Sequence, residues 1–451
     1  MKHGSRQEGS HRHYLALAIP LMLATISTPL LGAVDTAVVG YLESPHYLGG
    51  VTIAALIFNT LYWLFGFLRV STSGFTAQAA GKQDENEMLI MLARPLLLAS
   101  AVGIFFILAQ YPLWQTAVHL LQPSEAVQDQ AEGYFSYRIW GAPFALIQYV
   151  LLGWLIGRSH VNVALFLQLG CNLLNMGLDL LFVFFIDMGA AGIGLATLIA
   201  EITGVFIAAV YLWKKTGFTF SVFRWSSVWE AGPFLHMIRV NRDLFIRTAC
   251  LITVFGVFTS VGTSFGEVTL AANAILMQVH FIMAYFFDGL ANASSILAGR
   301  AIGKNDRSLF LRTMKTGAFW SFIIAVGWVL FMVVSGSWFV SLFTSIEEVA
   351  HTAINYSTWI ILFPIAAFWG LQLYGFFTGA TKAAPVRNSL IAAMVLFLLT
   401  LVLFLPNWGN HGLWLAFIVF SLTRTLVLWA YAPSLIRSSF KQTNLEQERV
   451  I

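Results

Sequence analysis

Two aspartates, Asp35 and Asp179, stand inside apolar runs long enough to cross a lipid bilayer. A carboxylate at the middle of a membrane helix costs about 2.5–3.5 kcal/mol on insertion scales, which makes an intramembrane acid a candidate functional group. Asp179 shares its segment with Asn172 and Asn175, and spacings of three and four residues put all three on one face of a helix. Thr197 and Glu201, four residues apart, share a face of the next segment. Carboxylates, an amide and a hydroxyl held together can pass a proton or cage a hard cation. Asn172 and Thr197 taken alone are equally well read as interhelical hydrogen-bonding groups, contributing about 0.6–2 kcal/mol each. Pro20 and Pro29 precede Asp35 on the same run. Each removes a backbone donor and crowds the preceding turn, so this helix is expected to bend, with Pro20 the candidate pivot that carries Asp35 toward or away from its partners. Arg69, Arg138, Arg424 and Asp288 are further charges on apolar segments, some of them expected to pair with one another or with Glu201. Tyr134 suits an interfacial anchor. Tyr137, Asn172 and Glu201 are candidates for the lining of a cavity.

The segments that must position these groups follow from composition. Of 451 residues, 58% are hydrophobic and only 10% charged. That excludes a soluble globular domain and predicts a polytopic membrane protein. Apolar runs fall at about residues 14–40, 48–80, 88–110, 129–157, 163–186, 190–213, 240–262, 269–299, 316–343, 349–379, 387–406 and 411–436. They are too long and continuous for barrel strands, so twelve transmembrane helices are expected. Lys and Arg occupy alternate connections and both tails, whereas the links holding Glu43, Glu125, Asp187, Glu267 and Glu347 carry acids without them. By the positive-inside rule both termini are cytoplasmic. The pI near 9.0 thus reflects topology, and no basic groove with interleaved aromatics suggests a nucleic-acid partner. The first apolar run has no cleavage site after it and reads as a retained span that directs insertion. Cys171 and Cys250 both fall in apolar runs, so neither a structural disulfide nor a metal site is expected.

The chain repeats itself at an offset of 222 residues, which pairs Gly40 with Gly262, Ser73 with Ser295, Lys82 with Lys304, Asp84 with Asp306, Gly153 with Gly375 and Gly157 with Gly379. Each repeat holds six spans, an even number, so the halves enter the membrane in the same direction. The expected fold is an all-α polytopic membrane protein with two pseudo-symmetric six-helix bundles. Residues 1–220 would form the amino-terminal lobe with the ion-coupling site, and residues 221–451 the linker and carboxy-terminal lobe. The positions opposite Asp35 and Asp179 are Val257 and Leu401, so only the amino-terminal half carries these acids. Enzyme signatures are weak: Gly262–Gly266 spells G-x-S-x-G around Ser264, but on a short connection without a strand-turn-helix context. The Gly-Lys pairs at 81–82 and 303–304 lack the Walker spacing. No catalytic residue and no resident cofactor are assigned.

The phrase V-D-T-A-V-V-G at 34–40, the proline fifteen residues before its aspartate, N-x-x-x-D at 175–179, G-A-A-G-I-G-L-A-T at 189–197 and the duplicated six-span plan resemble the multidrug and toxic compound extrusion (MATE) transporters, in their DinF branch. The resemblance covers essentially the whole chain. It implies secondary active efflux of amphipathic organic cations against inward H+, or Na+, by alternating access in a bacterial inner membrane, by a protein taken to be monomeric. It places Asp35, Asn175, Asp179 and Thr197 in an ion-linked network, also a candidate Na+ site, and Pro20 where the first helix bends. Leu31 departs from an archaeal relative, which has tyrosine there. The seventh and tenth spans lack the acids of the NorM branch. A flippase for lipid-linked precursors is the alternative substrate class, and an intramembrane hydrolase at Ser264 the enzyme alternative.

Overall fold

A computed structural model describes residues 9–40, 44–216 and 225–440, without the side chains of residues 28–31, 33, 35–37, 39, 40, 216 and 225. Almost all of it is helix, and no strand occurs among the described residues. Helix α1 is His11–Gly40. α2 (Pro45–Phe65) and α3 (Phe67–Lys82) form one rod, broken at Gly66, whose N–H donates to the Trp63 carbonyl at 3.1 Å. α4 (Glu85–Leu108) and the short α5 (Gln110–Leu121) follow. α6 (Glu125–Arg138) and α7 (Ala142–Gly157) make another rod, joined by the 3-10 turn Ile139–Gly141. α8 (Val161–Leu180) ends in a π-helical turn, Leu181–Phe185, and α9 (Gly189–Thr216) completes the first half. After the single turn α10 (Trp225–Val228) come α11 (Ala231–Thr263), α12 (Glu267–Gly303), α13 (Arg307–Ser341), α14 (Glu347–Gly379), α15 (Ala383–Trp408) and α16 (Asn410–Ser439). Eleven rods among the described residues are long and apolar enough to span a membrane, and the 30-residue α1 is the twelfth. The chain is a multi-pass, all-helical membrane protein.

The rods form two compact units, Leu23–Met237 and Met1–Met22 with Ile238–Ile451. This departs from the boundary expected at 220/221, at both ends and for visible reasons. The first turns of α1 are fastened into the carboxy-terminal unit: the Tyr14 hydroxyl lies 2.9 Å from the Leu290 carbonyl and 2.8 Å from Ser294 Oγ, and it accepts from Gln372 Nε2 at 3.0 Å. Gly289 has no side chain where the Met22 backbone passes. The connector is held by the amino-terminal unit, where buried Arg94 donates from Nε to the Val228 carbonyl at 2.9 Å and from Nη2 to that of Ser227. His236 packs edge-on against Phe75.

Each unit has its own core. Trp154 and Phe58 are fully buried in the amino-terminal unit, with the Trp154 indole donating to the Met88 carbonyl at 2.8 Å. Trp414, Phe258 and Phe417 fill the carboxy-terminal unit. There Asn273 and Asn410 exchange hydrogen bonds of 2.7 and 3.0 Å, and the Trp414 indole donates to Asn273 Oδ1 at 2.9 Å.

The repeat is legible in local geometry. A Cβ at Gly153 would overlap the Arg69 carbonyl, and one at Gly375 the carbonyl of Ala291, its counterpart at the same offset. Gly157 against Ser73 and Gly379 against Ser295 repeat the contact, a small-x-x-x-small approach that lets membrane helices touch backbone to backbone. Asp84 and Asp306 cap their helices alike, accepting from the N–H of Glu87 at 2.8 Å and of Leu309 at 2.9 Å. Three pairs at this offset, Gln83 and Asn305, Ser159 and Thr381, Asp187 and Gly409, all take positive φ between 53° and 63°.

Candidate functional site

The polar stripe of α8 is buried as its spacing demands. Asn172, Asn175 and Asp179 are 7%, 1% and 0% exposed, whereas Leu173 and Leu180 point outward at 67% and 46%. One helix therefore presents an apolar face to its surroundings and a carboxamide-carboxylate face to the interior of the amino-terminal unit. The neighbouring helices supply the partners. Asn175 donates from Nδ2 to the Thr197 hydroxyl of α9 at 3.2 Å, and Thr197 donates to the Ile193 carbonyl at 2.9 Å. Asn172 donates to Ser27 of α1, at 3.2 Å to Oγ and 3.4 Å to the carbonyl. Gln168 lengthens the stripe by one turn, donating to Asn172 Oδ1 at 3.2 Å.

Asn175 is thus tied to Thr197 of α9 and Asn172 to Ser27 of α1, two separate sets of hydrogen bonds on one buried face of α8, and Asp179 lies one turn along that face. Asn175 Oδ1 is buried and accepts no hydrogen bond from the described residues. A bare amide oxygen beside a hydroxyl and a buried carboxylate is a donor set for a cation or for a protonated group. The backbone of Asp35 lies on α1, eight residues beyond Ser27, but its side chain is outside the described residues. α1 runs as one helix through Pro20 and Pro29.

Glu201, a candidate for a cavity lining, is in a buried ion pair. Arg138 Nη1 donates to its Oε1 at 2.8 Å, with the two side chains 10% and 12% exposed. The Arg138 guanidinium carbon also sits 5.2 Å from the Tyr62 ring centroid and 5.6 Å from that of Phe58, a cation-π arrangement. Glu201 Oε2 and the Tyr62 hydroxyl are buried without hydrogen bonds among the described residues, and Gly141 leaves the room beside Oε2, where a Cβ would come to 2.5 Å. Tyr137 does not join the cluster and is 38% exposed. Tyr134, expected at the interface, is buried with its ring 6.1 Å from Phe58.

Three features escaped the sequence. Gln168 obeys the same four-residue spacing and could have been read from it. Ser27 gave no signal, since nothing local tells which α1 residue meets α8. The π turn at Leu181–Phe185, two residues past Asp179, adds a residue to one helical turn and redirects the chain. Such bulges concentrate at functional sites. Ser264 lies in the exposed turn after α11, its hydroxyl donating to the Val261 carbonyl at 2.7 Å, a local turn contact.

Known proteins share this fold and its duplication. The family model described as MatE matches residues 20–181 and 244–403, one stretch in each half of the repeat. The chain is 37% identical to DNA damage-inducible protein F of Escherichia coli K12 over 417 residues, 92% of this chain and 90% of that protein. It is 23% identical to a probable multidrug resistance protein NorM of Photorhabdus laumondii, over 93% of this chain and 94% of the relative. A solved structure described as the outward-facing conformation of a multidrug resistance MATE family transporter superposes with a TM-score of 0.86 at 19% identity, covering 95% of this chain and 96% of that one. The fold, the duplication and the relatives together place the chain in the MatE family of multidrug efflux transporters, in the branch of DNA damage-inducible protein F.

Proposed function

We propose that this chain is a proton-coupled antiporter that exports amphipathic organic cations, with Asp35 and Asp179 as the groups on which proton and substrate compete. The observation that carries this reading is the buried α8 stripe, whose Asn175 is tied to Thr197 and whose Asn172 is tied to α1, the helix that bears Asp35. A neutral carboxyl and a charged one demand different hydrogen bonds, so taking up a proton at either aspartate reorganises the network that links α1, α8 and α9. A cationic substrate stabilises the charged acid and a proton the neutral one, so each ligand favours a different state, which is what coupling requires. Turning a 1:99 population into 99:1 takes about 5.5 kcal/mol of differential binding, more than one hydrogen bond supplies, which is why a network serves better than a lone residue. Bending of α1 at Pro20 would carry Asp35 between these states. The protein would act as a monomer in the bacterial inner membrane with both termini in the cytoplasm.

The test is transport in everted membrane vesicles. Asp35→Asn and Asp179→Asn are each expected to abolish ethidium-driven proton movement while the protein still inserts. Full exchange in both variants would sink the assignment. A Na+-coupled reading has one specific support, the bare Oδ1 of Asn175 beside Thr197 and Asp179, an all-oxygen set suited to a hard cation. Transport at fixed internal and external pH that depends on a Na+ gradient would select it over the proton.

A further inference from the structure

The carboxy-terminal unit has a buried charge cluster of the opposite sign. Arg247 on α11 and Arg424 on α16 both lie over the ring of Tyr374 on α14, with guanidinium carbons 4.6 and 5.8 Å from its centroid. Arg424 is only 9% exposed, and among the described residues its Nε and Nη2 are buried without a hydrogen bond, as is Nε of Arg247. Among the described residues no carboxylate comes within ion-pair distance of either guanidinium, in contrast to Arg138 with Glu201 and Arg387 with Asp243. The acid whose charge reaches Arg424 is Asp288 on α12, and its Oδ2 is already occupied by Asn292 Nδ2 at 2.9 Å. Among the described residues, two guanidiniums against one carboxylate leave one positive charge in excess. An uncompensated buried cation in a membrane unit is costly, and a ring face offsets only part of that cost.

We propose that Arg247, Arg424 and Tyr374 form a binding site for a monovalent amphipathic oxyanion, a carboxylate or phosphate on an apolar body. The planar guanidinium fork matches the two oxygens of such a group, and one bound monoanion neutralises the excess charge. The surroundings of the arginines are apolar and aromatic, an environment that suits an apolar body. Phe417 precedes Arg424 by seven residues on α16, two turns or about 10 Å along the same face. There the Phe417 ring stacks on Phe363 at 5.8 Å, and His280 meets both edge-on, at 5.0 and 4.3 Å. All of these residues belong to the carboxy-terminal unit and the α8 stripe belongs to the amino-terminal unit, so this site and the cation-proton reading stand or fall separately.

The test uses the full-length protein in phosphatidylcholine nanodiscs with radiolabelled decanoate, and decyltrimethylammonium as the same tail with the opposite charge. Saturable decanoate binding is expected, weakened about tenfold or more by Arg424→Gln and by Arg247→Gln and unaffected by Asp179→Asn, with decyltrimethylammonium binding unchanged in both arginine variants. Tyr374→Phe, which keeps the ring, should weaken decanoate less than either. If Arg424→Gln fails to fold, the less deeply buried Arg247 still decides the outcome. Displacement of decanoate by phosphatidylglycerol in the nanodisc would identify a lipid headgroup as the natural occupant of the same site. A lack of displacement would point to a free amphipathic acid. The proposal is overturned if decanoate shows no saturable binding, or if it binds the folded arginine variants as tightly as the native chain.

Discussion

At the scale of single residues, the amino-terminal unit holds its interior charges in two ways. Arg138 and Glu201 neutralise each other, and the guanidinium is backed by aromatic faces. Removing one partner strands the other, so Glu201→Gln is expected to cost about 3–5 kcal/mol, seen as a fall in melting temperature in detergent. Replacing both by methionine should restore most of that loss, because an apolar pair of similar volume leaves nothing buried and uncompensated. The α8 stripe is different, since its amide oxygen at Asn175 accepts no hydrogen bond from the described residues, where an ordinary packing contact would satisfy it. Asn175→Leu should therefore leave melting nearly unchanged or raise it, yet depress transport. A melting temperature that fell as far as that of Glu201→Gln would reduce the stripe to a structural contact.

At the scale of elements, duplicated backbone devices hold the rods together. Gly153 and Gly375 each admit a facing carbonyl, so Gly375→Ala forces α12 and α14 apart and Gly153→Ala does the same to α3 and α7. Both are expected to destabilise by at least the ~1–3 kcal/mol typical of overpacking, read as lost yield and lowered melting temperature. The Asp84 and Asp306 caps are cheaper, about 1 kcal/mol each on replacement by alanine. Asp306 adds a pH signature. Burial alone would raise its carboxyl, but the N–H groups of Leu309 and Ser308, the Ser308 hydroxyl and the nearby Arg312 outweigh that and hold it below the usual range. A depressed carboxyl contributes stability that is complete above its unfolded value, about 3.9, and disappears as pH falls through the lower folded value. The stability gap between the native chain and Asp306→Ala should accordingly narrow as pH falls below the unfolded carboxyl value, measured by denaturation across the acid range.

At the scale of the whole molecule, the first helix is shared between units. Its opening turns are clasped by Leu290, Ser294 and Gln372 through Tyr14, whereas its later turns are reached by Asn172 through Ser27. A helix anchored at one end and tied to the α8 network at the other transmits movement along its length, which suits the rod that bears Asp35. Tyr14→Phe keeps the ring and removes the clasp. It should raise amide hydrogen exchange across residues 11–22 with little change in α12 or α14, and a uniform rise throughout the carboxy-terminal unit would show that Tyr14 supports the core instead.

Much of this was legible in the sequence because the bilayer imposes it. Every spanning segment must satisfy its own backbone, so apolar runs become helices and their number follows from counting. Asn172, Asn175 and Asp179 share a face because 3.6 residues complete a turn, and the repeat shows as glycines and capping aspartates in register because local geometry recurs with local sequence. Partner choice was not legible. That Glu201 would meet Arg138, that α1 would begin in one unit and continue in the other, and that two arginines 177 positions apart, Arg247 and Arg424, would share one tyrosine ring depends on which helices lie side by side. Hydrophobicity cannot specify that, since lipid is as apolar as the helices it surrounds. Small-residue contacts and buried polar pairs decide it, and they form only when distant segments meet.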